Sequence, residues 1–425
     1  MPDRRQADEA EARALDARNP LARFREQFLM PPGSVYLMGN SLGPLCWPAE
    51  RTLERALEQW RRLGVAGWLE AEPPWISLAE TMGEAVAPLV GAAADEVVAT
   101  GTTTVNIHAL VGTLHAPEGR RTRILADELN FPSDIYALGG QLLLKGLDPD
   151  EHLVLVRSRD GRTLDEEEII AAMTDEVALV HLPSVVYRSG QLLDMERLAA
   201  AAAERGIPIG FDCCHSVGVL PHRLDDWQVD YATWCSYKYL NGGPGSTAFL
   251  YLNRKHFERS PLLRGWFGYV KEKQFEMRLE FEHARSAGGW QISSPAILSS
   301  APVLGSLALI AEAGIEAVRR VSLEMTSYLI DLVDRMDGGP FGVEVGTPRD
   351  PGRRGGHVAL EVNRDVEVLR EALARAGVIV DFRPPNVIRM APCALYNTFH
   401  ELWRVAGIIG AARPHEGRGG RAGSA

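Results

Sequence analysis

The sequence predicts an α/β protein: a large domain with a mostly parallel seven-stranded sheet covered by helices, plus a smaller α+β domain. Three observations carry this. Seven short apolar segments, rich in Val, Ile, Phe and Tyr, recur from about residue 95 to residue 252. Helical patterns lie between several of them, and strand–helix alternation of this kind implies a parallel sheet covered on both faces. From about residue 310 the pattern changes to one long helix followed by short strands and further helices.

Taken in order, the chain opens on "MPDRRQADEAEARALDARN", which is charged and has no apolar h-region, so no signal peptide is expected. Residues 1–60 read as an N-terminal segment contributing to the small domain, and 61–310 as the large domain. The strand candidates there are "EVVAT", "RILA", "HLVLVR", "VALVHL", "IPIGF", "DYATWCS" and "TAFLYL". "MERLAAAAAERG" (195–206) is the clearest helix between them. A ligand of such a sheet lies at the carboxyl ends of the strands. The small domain, 311–412, holds a long helix over 315–336, then a strand in "HVALEVN" (357–363), a helix over 366–376 and a strand in "VIVD" (378–381). The loop "GTPRDPGRRGG" (346–356) is expected to be exposed and mobile. Residues 413–425 read as a disordered tail.

The composition, 46% hydrophobic and 24% charged, is that of a globular protein with room for two cores. A net charge of -11 argues against a nucleic-acid partner, which usually leaves a basic footprint. No apolar run reaches the ~18 residues that a membrane helix needs. Five cysteines, two of them adjacent, do not form a disulfide framework, so a cytoplasmic setting is expected.

Five stretches can carry chemistry. In "GFDCCHSVG" (210–218), Asp212 stands at the carboxyl end of an apolar strand, with His215 three residues on. An ordinary strand-to-loop junction whose Asp caps the next turn fits the same residues. The Cys–Cys–His spacing matches no standard zinc pattern, so no metal is expected. In "CSYKYLNGGPG" (235–245), Lys238 follows an apolar, aromatic strand and precedes a glycine-rich turn. A lysine so placed can form a Schiff base. Together with a strand-end aspartate to keep a pyridine nitrogen protonated, it suits pyridoxal phosphate (PLP). In "GTTTVNIHALVGTLH" (101–115), threonines open a helix whose free N–H groups make an anion site, or simply an N-cap. In "NFPSDIYAL" (130–138), Phe131 can stack on a flat ring and Asp134 can cap a helix or bind a ligand. In "PPNVIRMAPCALYNTF" (384–399), Arg389 lies within an apolar run and needs a carboxylate, either a substrate's or an internal Asp or Glu.

These residues carry a family resemblance. The segments "YLMGNSLGPL" (36–45), "TVNIH" (104–108), "FPSD" (131–134), "DCCHSVG" (212–218), "DYATWCSYKYLNGGPG" (230–245), "GWFGY" (265–269), "SSPAIL" (293–298) and "VIRMAPCALYNTF" (387–399) resemble the kynureninase family, in the family's order and over nearly the whole chain. The resemblance implies the fold type I fold of PLP-dependent transferases, with residues 61–310 as the PLP-binding domain. It implies Lys238 as the Schiff-base lysine, Asp212 as the partner of the pyridine nitrogen with His215 and Asp134 nearby, and Phe131 stacked on the ring. Thr103, Thr104 and Tyr237 are implied to hold the phosphate, and Tyr237 to assist proton transfer. Trp266 and Ser294 match positions that the family supplies from the neighbouring subunit, so a homodimer with active sites at the interface follows. Arg389, Asn40, Ser41 and Trp68 match substrate-binding positions for a small amino acid.

The implied reaction is hydrolytic Cβ–Cγ cleavage of L-kynurenine, or a ring-substituted kynurenine, to anthranilate or its analogue and L-alanine. Several positions depart from the commonest pattern: Tyr269 replaces His, Cys213 and Cys214 replace small apolar residues, and Ser294 replaces Asn or Thr. Trp68 stands where some members that prefer 3-hydroxykynurenine have His. The other readings are a different fold type I PLP enzyme, such as a desulfurase or β-lyase, and a catalytically silent scaffold.

Overall fold

The computed structural model describes residues 4–414. The large sheet contains β1 (Val97–Ala99), β2 (Arg123–Asp127), β3 (Leu153–Val156), β4 (Val177–Pro183), β5 (Ile209–Asp212), β6 (Tyr231–Trp234) and β7 (Phe249–Leu252). Their order is β1-β7-β6-β5-β4-β2-β3. β7 runs antiparallel to both neighbours, and every other adjacent pair is parallel. All seven strands foreseen from the apolar segments form. They read as continuous apolar runs because both faces are covered. Alternate residues feed two separate cores: Val98, Ile124, Leu179 and Leu250 enter one, while Val97, Leu125, Val180 and Phe249 enter the other.

Helices α4 (Thr103–Leu114) and α5 (Pro132–Leu144) cover one face through Ile107, Leu110, Leu138 and Leu142. Helix α6 (Met195–Glu204) packs into the other core through Leu198 and Ala202. The loops after β1, β2, β5 and β6 all emerge at the carboxyl edge of the sheet, and this edge holds the site.

The smaller sheet is antiparallel, ordered β8 (Val343–Val345), β9 (Val358–Val362), β11 (Val387–Met390), β10 (Asp381–Arg383). It packs with α8 (Ile315–Asp334) and α10 (Phe399–Ala411). A capping box of Thr398 and Glu401 starts α10. The N-terminal helix α1 (Arg4–Arg18) docks here too, where the Asp16 carboxylate accepts from the first backbone N–H groups of α10, at Phe399 (2.6 Å) and His400 (3.1 Å). Val35–Tyr36 adds a short parallel pairing to Val378–Ile379. Helix α2 (Trp47–Leu63) turns away and lies along α7 (Ile297–Ala313). The approach is so close that a Cβ on Gly305 would sit 2.1 Å from the Pro48 carbonyl oxygen.

Two expectations change. "VIVD" splits: only Val378 and Ile379 pair with the N-terminal segment, and Asp381 starts β10. The 346–356 loop is anchored. Arg354 is 1% exposed, and its guanidinium donates to the hydroxyls of Thr326 (3.2 Å) and Ser327 on α8 and to the Arg349 carbonyl. Its composition suggested a mobile loop because the groups that fix it lie on α8, far along the chain. Of the expected tail, residues 415–425 lie outside the described residues.

Candidate active site

At the carboxyl edge of the large sheet lies a cavity of about 320 Å³, a size suited to a small molecule. Ten of the residues singled out from sequence border it: Asn40, Ser41, Thr103, Thr104, Phe131, Asp134, Asp212, His215, Tyr237 and Lys238. They come from five separate stretches of chain.

Asp212 ends β5 and is buried, and its Oδ1 accepts from the Cys214 backbone N–H at 2.7 Å. Burial and the nearby Asp134 charge push its carboxyl up to about 6, against the pull of Lys238. Lys238 is half-buried on the turn after β6. Its recess alone pushes the ammonium down, but the thiols of Cys235 and Cys214 and the Asp212 carboxylate outweigh this and hold it above its ordinary value.

The lysine turn is held from outside. The Tyr237 carbonyl accepts from the Gly43 N–H at 2.7 Å. A Cβ on Gly43 would meet Asn241 Oδ1 at 2.2 Å and the Lys238 carbonyl at 2.5 Å. "GNSLG" thus lies against "YKYLN", which explains why both stretches are needed. Asn40 is fully buried on the cavity wall, and neither atom of its amide has a hydrogen-bond partner among the described residues.

Thr102 caps α4, and Thr103 and Thr104 form its first turn. Phe131 immediately precedes α5 and meets Tyr187 edge-on at 5.3 Å. Asp134 is buried, 3.4 Å from His181 Nε2, and His181 Nδ1 lies 3.1 Å from the Tyr231 hydroxyl. This chain crosses β5 at Gly210, where any Cβ would lie 2.1 Å from the Tyr231 ring. His215 is buried beside the cavity, edge-on to His357, and its Nδ1 has no hydrogen-bond partner among the described residues. Burial, with Lys238 and Arg389 adding to it, holds that imidazole well below its usual range, so it is neutral.

Cys214 Sγ accepts from the Cys235 backbone N–H at 3.2 Å and lies 3.5 Å from Thr103 Oγ1. Burial pushes the Cys213 thiol up to about 12. All five cysteines are free and buried.

Four sequence candidates do not border this cavity. Arg389 is 1% exposed behind its wall, where Asp381 and the Tyr187 carbonyl occupy its terminal nitrogens. Trp68 lines a separate groove with Trp60, Trp75 and Leu298, and packs on Trp75 and Phe267. Trp266 is 50% exposed, and Ser294 is exposed as well. Conversely, Arg383, Tyr187, Ser246 and Cys235 border the cavity without having been singled out as site residues. Tyr187 was accessible to the strand-end rule, since it follows β4 by a few residues. Arg383 offered no such signal.

A parallel sheet with a ligand cavity at its carboxyl edge, a strand-end aspartate and a lysine on the turn after the next strand is the architecture of fold type I PLP-dependent enzymes. Solved structures of that class share the fold. A cysteine desulfurase from Thermococcus onnurineus superposes with a TM-score of 0.78 at 17% identity, covering 92% of this chain and 98% of that one. A cystine C–S lyase variant with glycine covalently linked to its PLP cofactor superposes with a TM-score of 0.78 at 16% identity, covering 91% and 98%. Within that class the sequence is more specific. Residues 318–409 match the kynureninase C-terminal domain. The chain is 53% identical over 398 residues to the kynureninase of Geobacillus thermodenitrificans, covering 94% of this chain and 92% of that protein. It is 52% identical over 398 residues to the kynureninase of Shouchella clausii, again covering 94% and 92%. The chain belongs to the kynureninase family.

Proposed function

We propose that this protein is a PLP-dependent hydrolase that cleaves the Cβ–Cγ bond of L-kynurenine, or of a 3-hydroxy or methyl derivative, giving anthranilate or its analogue and L-alanine. The observation that carries the reading is the meeting of Lys238 and Asp212 in one cavity of a chain that belongs to the kynureninase family.

The residues fit the cofactor. The buried Asp212 carboxylate has one backbone N–H as its partner and is raised to about 6, so it is ready to accept from a pyridinium N–H. The first turn of α4 presents Thr103 and Thr104 with unpaired backbone N–H groups, which suit a phosphate. Phe131 offers a ring face, and His215 an imidazole whose Nδ1 makes no hydrogen bond among the described residues. PLP bound there supplies an electron sink at the substrate's α-carbon.

The chain's own groups do the rest. Asp212 holds a proton at the ring nitrogen. Lys238 Nζ anchors the cofactor and moves a proton at the α-carbon. Tyr237 stands next to it, and burial followed by the neighbouring thiols raises its phenol above the ordinary range, so it stays a proton donor. One water is consumed at the γ-carbonyl, and the leaving alanine carbon takes up a proton. Arg389 is the residue matched to the substrate carboxylate, and it stands behind the cavity wall beside Asp381.

Active sites at a homodimer interface complete the reading. The chain leaves Trp60, Val65, Leu69, Leu262, Phe275 and Leu279 exposed, an amount of apolar surface that a partner subunit would cover. Trp266 and Ser294 then reach the phosphate of the other subunit, and Trp68 and Ser294 set the tolerance for ring substituents. A cytoplasmic location accords with five unpaired thiols.

Borohydride reduction of the PLP-loaded protein, followed by peptide mass analysis, tests the cofactor site: the pyridoxyl mass belongs on Lys238, and a label elsewhere refutes the assignment. Incubation with L-kynurenine and 3-hydroxykynurenine tests the reaction through equimolar release of the anthranilate and alanine. Turnover of neither, with sulfide released from cysteine instead, would put the enzyme in the desulfurase group.

A further inference from the structure

Behind the cavity lies a buried polar chain that the reaction as described does not use. His181, Gly210 and Tyr231 stand side by side in register on β4, β5 and β6. Gly210 removes the side chain that would separate the other two, since its Cβ would lie 2.1 Å from the Tyr231 ring. The Tyr231 ring therefore lies across β5, 5.8 Å from the His181 ring and tilted from it by 15°. Its hydroxyl reaches His181 Nδ1 at 3.1 Å. On the other side of the imidazole, Nε2 is 3.4 Å from Asp134 Oδ2. The second oxygen, Asp134 Oδ1, accepts from the Ser133 hydroxyl at 3.2 Å.

None of the three is more than 1% exposed, and only Asp134 borders the cavity. Ile124, Ala126, Leu138 and Leu179 belong to the core on this face of the sheet. A glycine inside a central strand and polar groups inside an apolar core both cost stability, so the chain is an expensive one to keep. Its direction can be read. Burial, then the Asp230 and Asp134 charges, push the Tyr231 phenol well above its ordinary range, so it keeps its proton. That proton has a nearer acceptor in His181 Nδ1 at 3.1 Å than in the Val180 carbonyl at 3.4 Å. With Nδ1 accepting, the ring proton sits on Nε2 and faces Asp134.

Asp134 is one of three carboxylates gathered here. Burial and then the Asp134 charge raise Asp212, against the pull of Lys238, and burial and the same charge raise Asp127 at the end of β2. We propose that His181 is a positioning residue for the ring nitrogen of PLP: steadied by Tyr231, it donates to Asp134 and holds that carboxylate's charge at the cavity beside Asp212, where a second negative charge favours the protonated pyridine. A hydrogen bond to a charged group in a dry site is the strong kind, and each member of such a chain supports the next. The inference rests on the cofactor site proposed above.

The test compares PLP with its deaza analogue, in which C–H replaces the ring nitrogen, by equilibrium dialysis against the protein stripped of cofactor. Wild type is expected to bind PLP the more tightly. H181M should weaken PLP binding by about tenfold and leave the analogue within about twofold, while H181Q, whose amide can still donate to Asp134, keeps part of the preference. Y231F removes only a hydroxyl and should lose PLP affinity in the same selective way. PLP affinity within about twofold of wild type in both H181M and Y231F overturns the proposal, as does equal weakening of the two ligands, which marks a merely structural role. A wild type that carries PLP on Lys238 but binds the analogue equally well leaves the cofactor site standing and overturns the part given to His181. A wild type that binds neither refutes both.

Discussion

A fully buried carboxylate is uncommon inside a protein, and Asp127 is one. It ends β2 with no exposed surface, and the backbone N–H groups of Leu129 and Asn130 beside it only partly offset the cost of burial. Burial, with the charges of Asp134 and Glu128 nearby, pushes it up to about 7. The folded state therefore keeps a proton that the unfolded chain releases near pH 4. Stability from this group is complete below about pH 4 and is lost as pH rises through about 7, at up to roughly 1.4 kcal/mol per unit. Asn has no such dependence. The stability of D127N relative to wild type should rise between pH 5 and pH 8 in urea unfolding of the cofactor-free protein; a constant difference would show Asp127 to be ionised throughout. At this scale the legibility of the site was uneven. Lys238 and Asp212 were readable because their signal is local, a polar residue at the end of an apolar strand. Arg383 was not, because its place on the cavity wall depends on the packing of the small sheet and leaves no local signal. Gly210 likewise looked neutral inside "IPIGF", since the Tyr231 ring that needs its space lies on the next strand.

Elements were legible in proportion to how completely they are buried. Most strands of the large sheet have both faces covered, so their sequences are largely apolar. β8 and β10, at the edges of the small sheet, carry charged residues within three-residue strands and gave no such run. The 346–356 segment shows the converse error: Gly, Pro and Arg signalled mobility, yet Arg354 is tied to α8. Arg354 to Ala removes that tie and leaves the Thr326 and Ser327 hydroxyls without it. Trypsin should then cut R354A rapidly at Arg349 and Arg353 while leaving wild type intact on the same timescale. Equal resistance of the two proteins would mean the segment is held by its backbone alone.

At the scale of the molecule, Trp266 and Ser294, matched to phosphate positions, are exposed, and Trp68 lines a groove of its own. The homodimer proposed above is what would bring them to a site. If Trp266 serves the neighbouring subunit, W266A should weaken PLP binding by about tenfold, a typical loss for an aromatic anchor, without dissociating the dimer. Light scattering fixes the assembly and equilibrium dialysis the cofactor affinity. Unchanged affinity in an intact dimer would exclude Trp266 from the phosphate site.

The burial of every sulfhydryl has a practical consequence. Cys46, Cys213, Cys214, Cys235 and Cys393 are each at most 6% exposed, so a bulky maleimide dye finds no native target on the folded surface. Leu144, the last residue of α5, is 77% exposed and lies outside the surface assigned to the partner subunit. Leu144→Cys therefore offers a single-site handle in an otherwise unaltered background. A paramagnetic or fluorescent tag placed there becomes a ruler between two copies of the chain, and the native thiols, silent until the fold opens, serve as a built-in alarm for its loss.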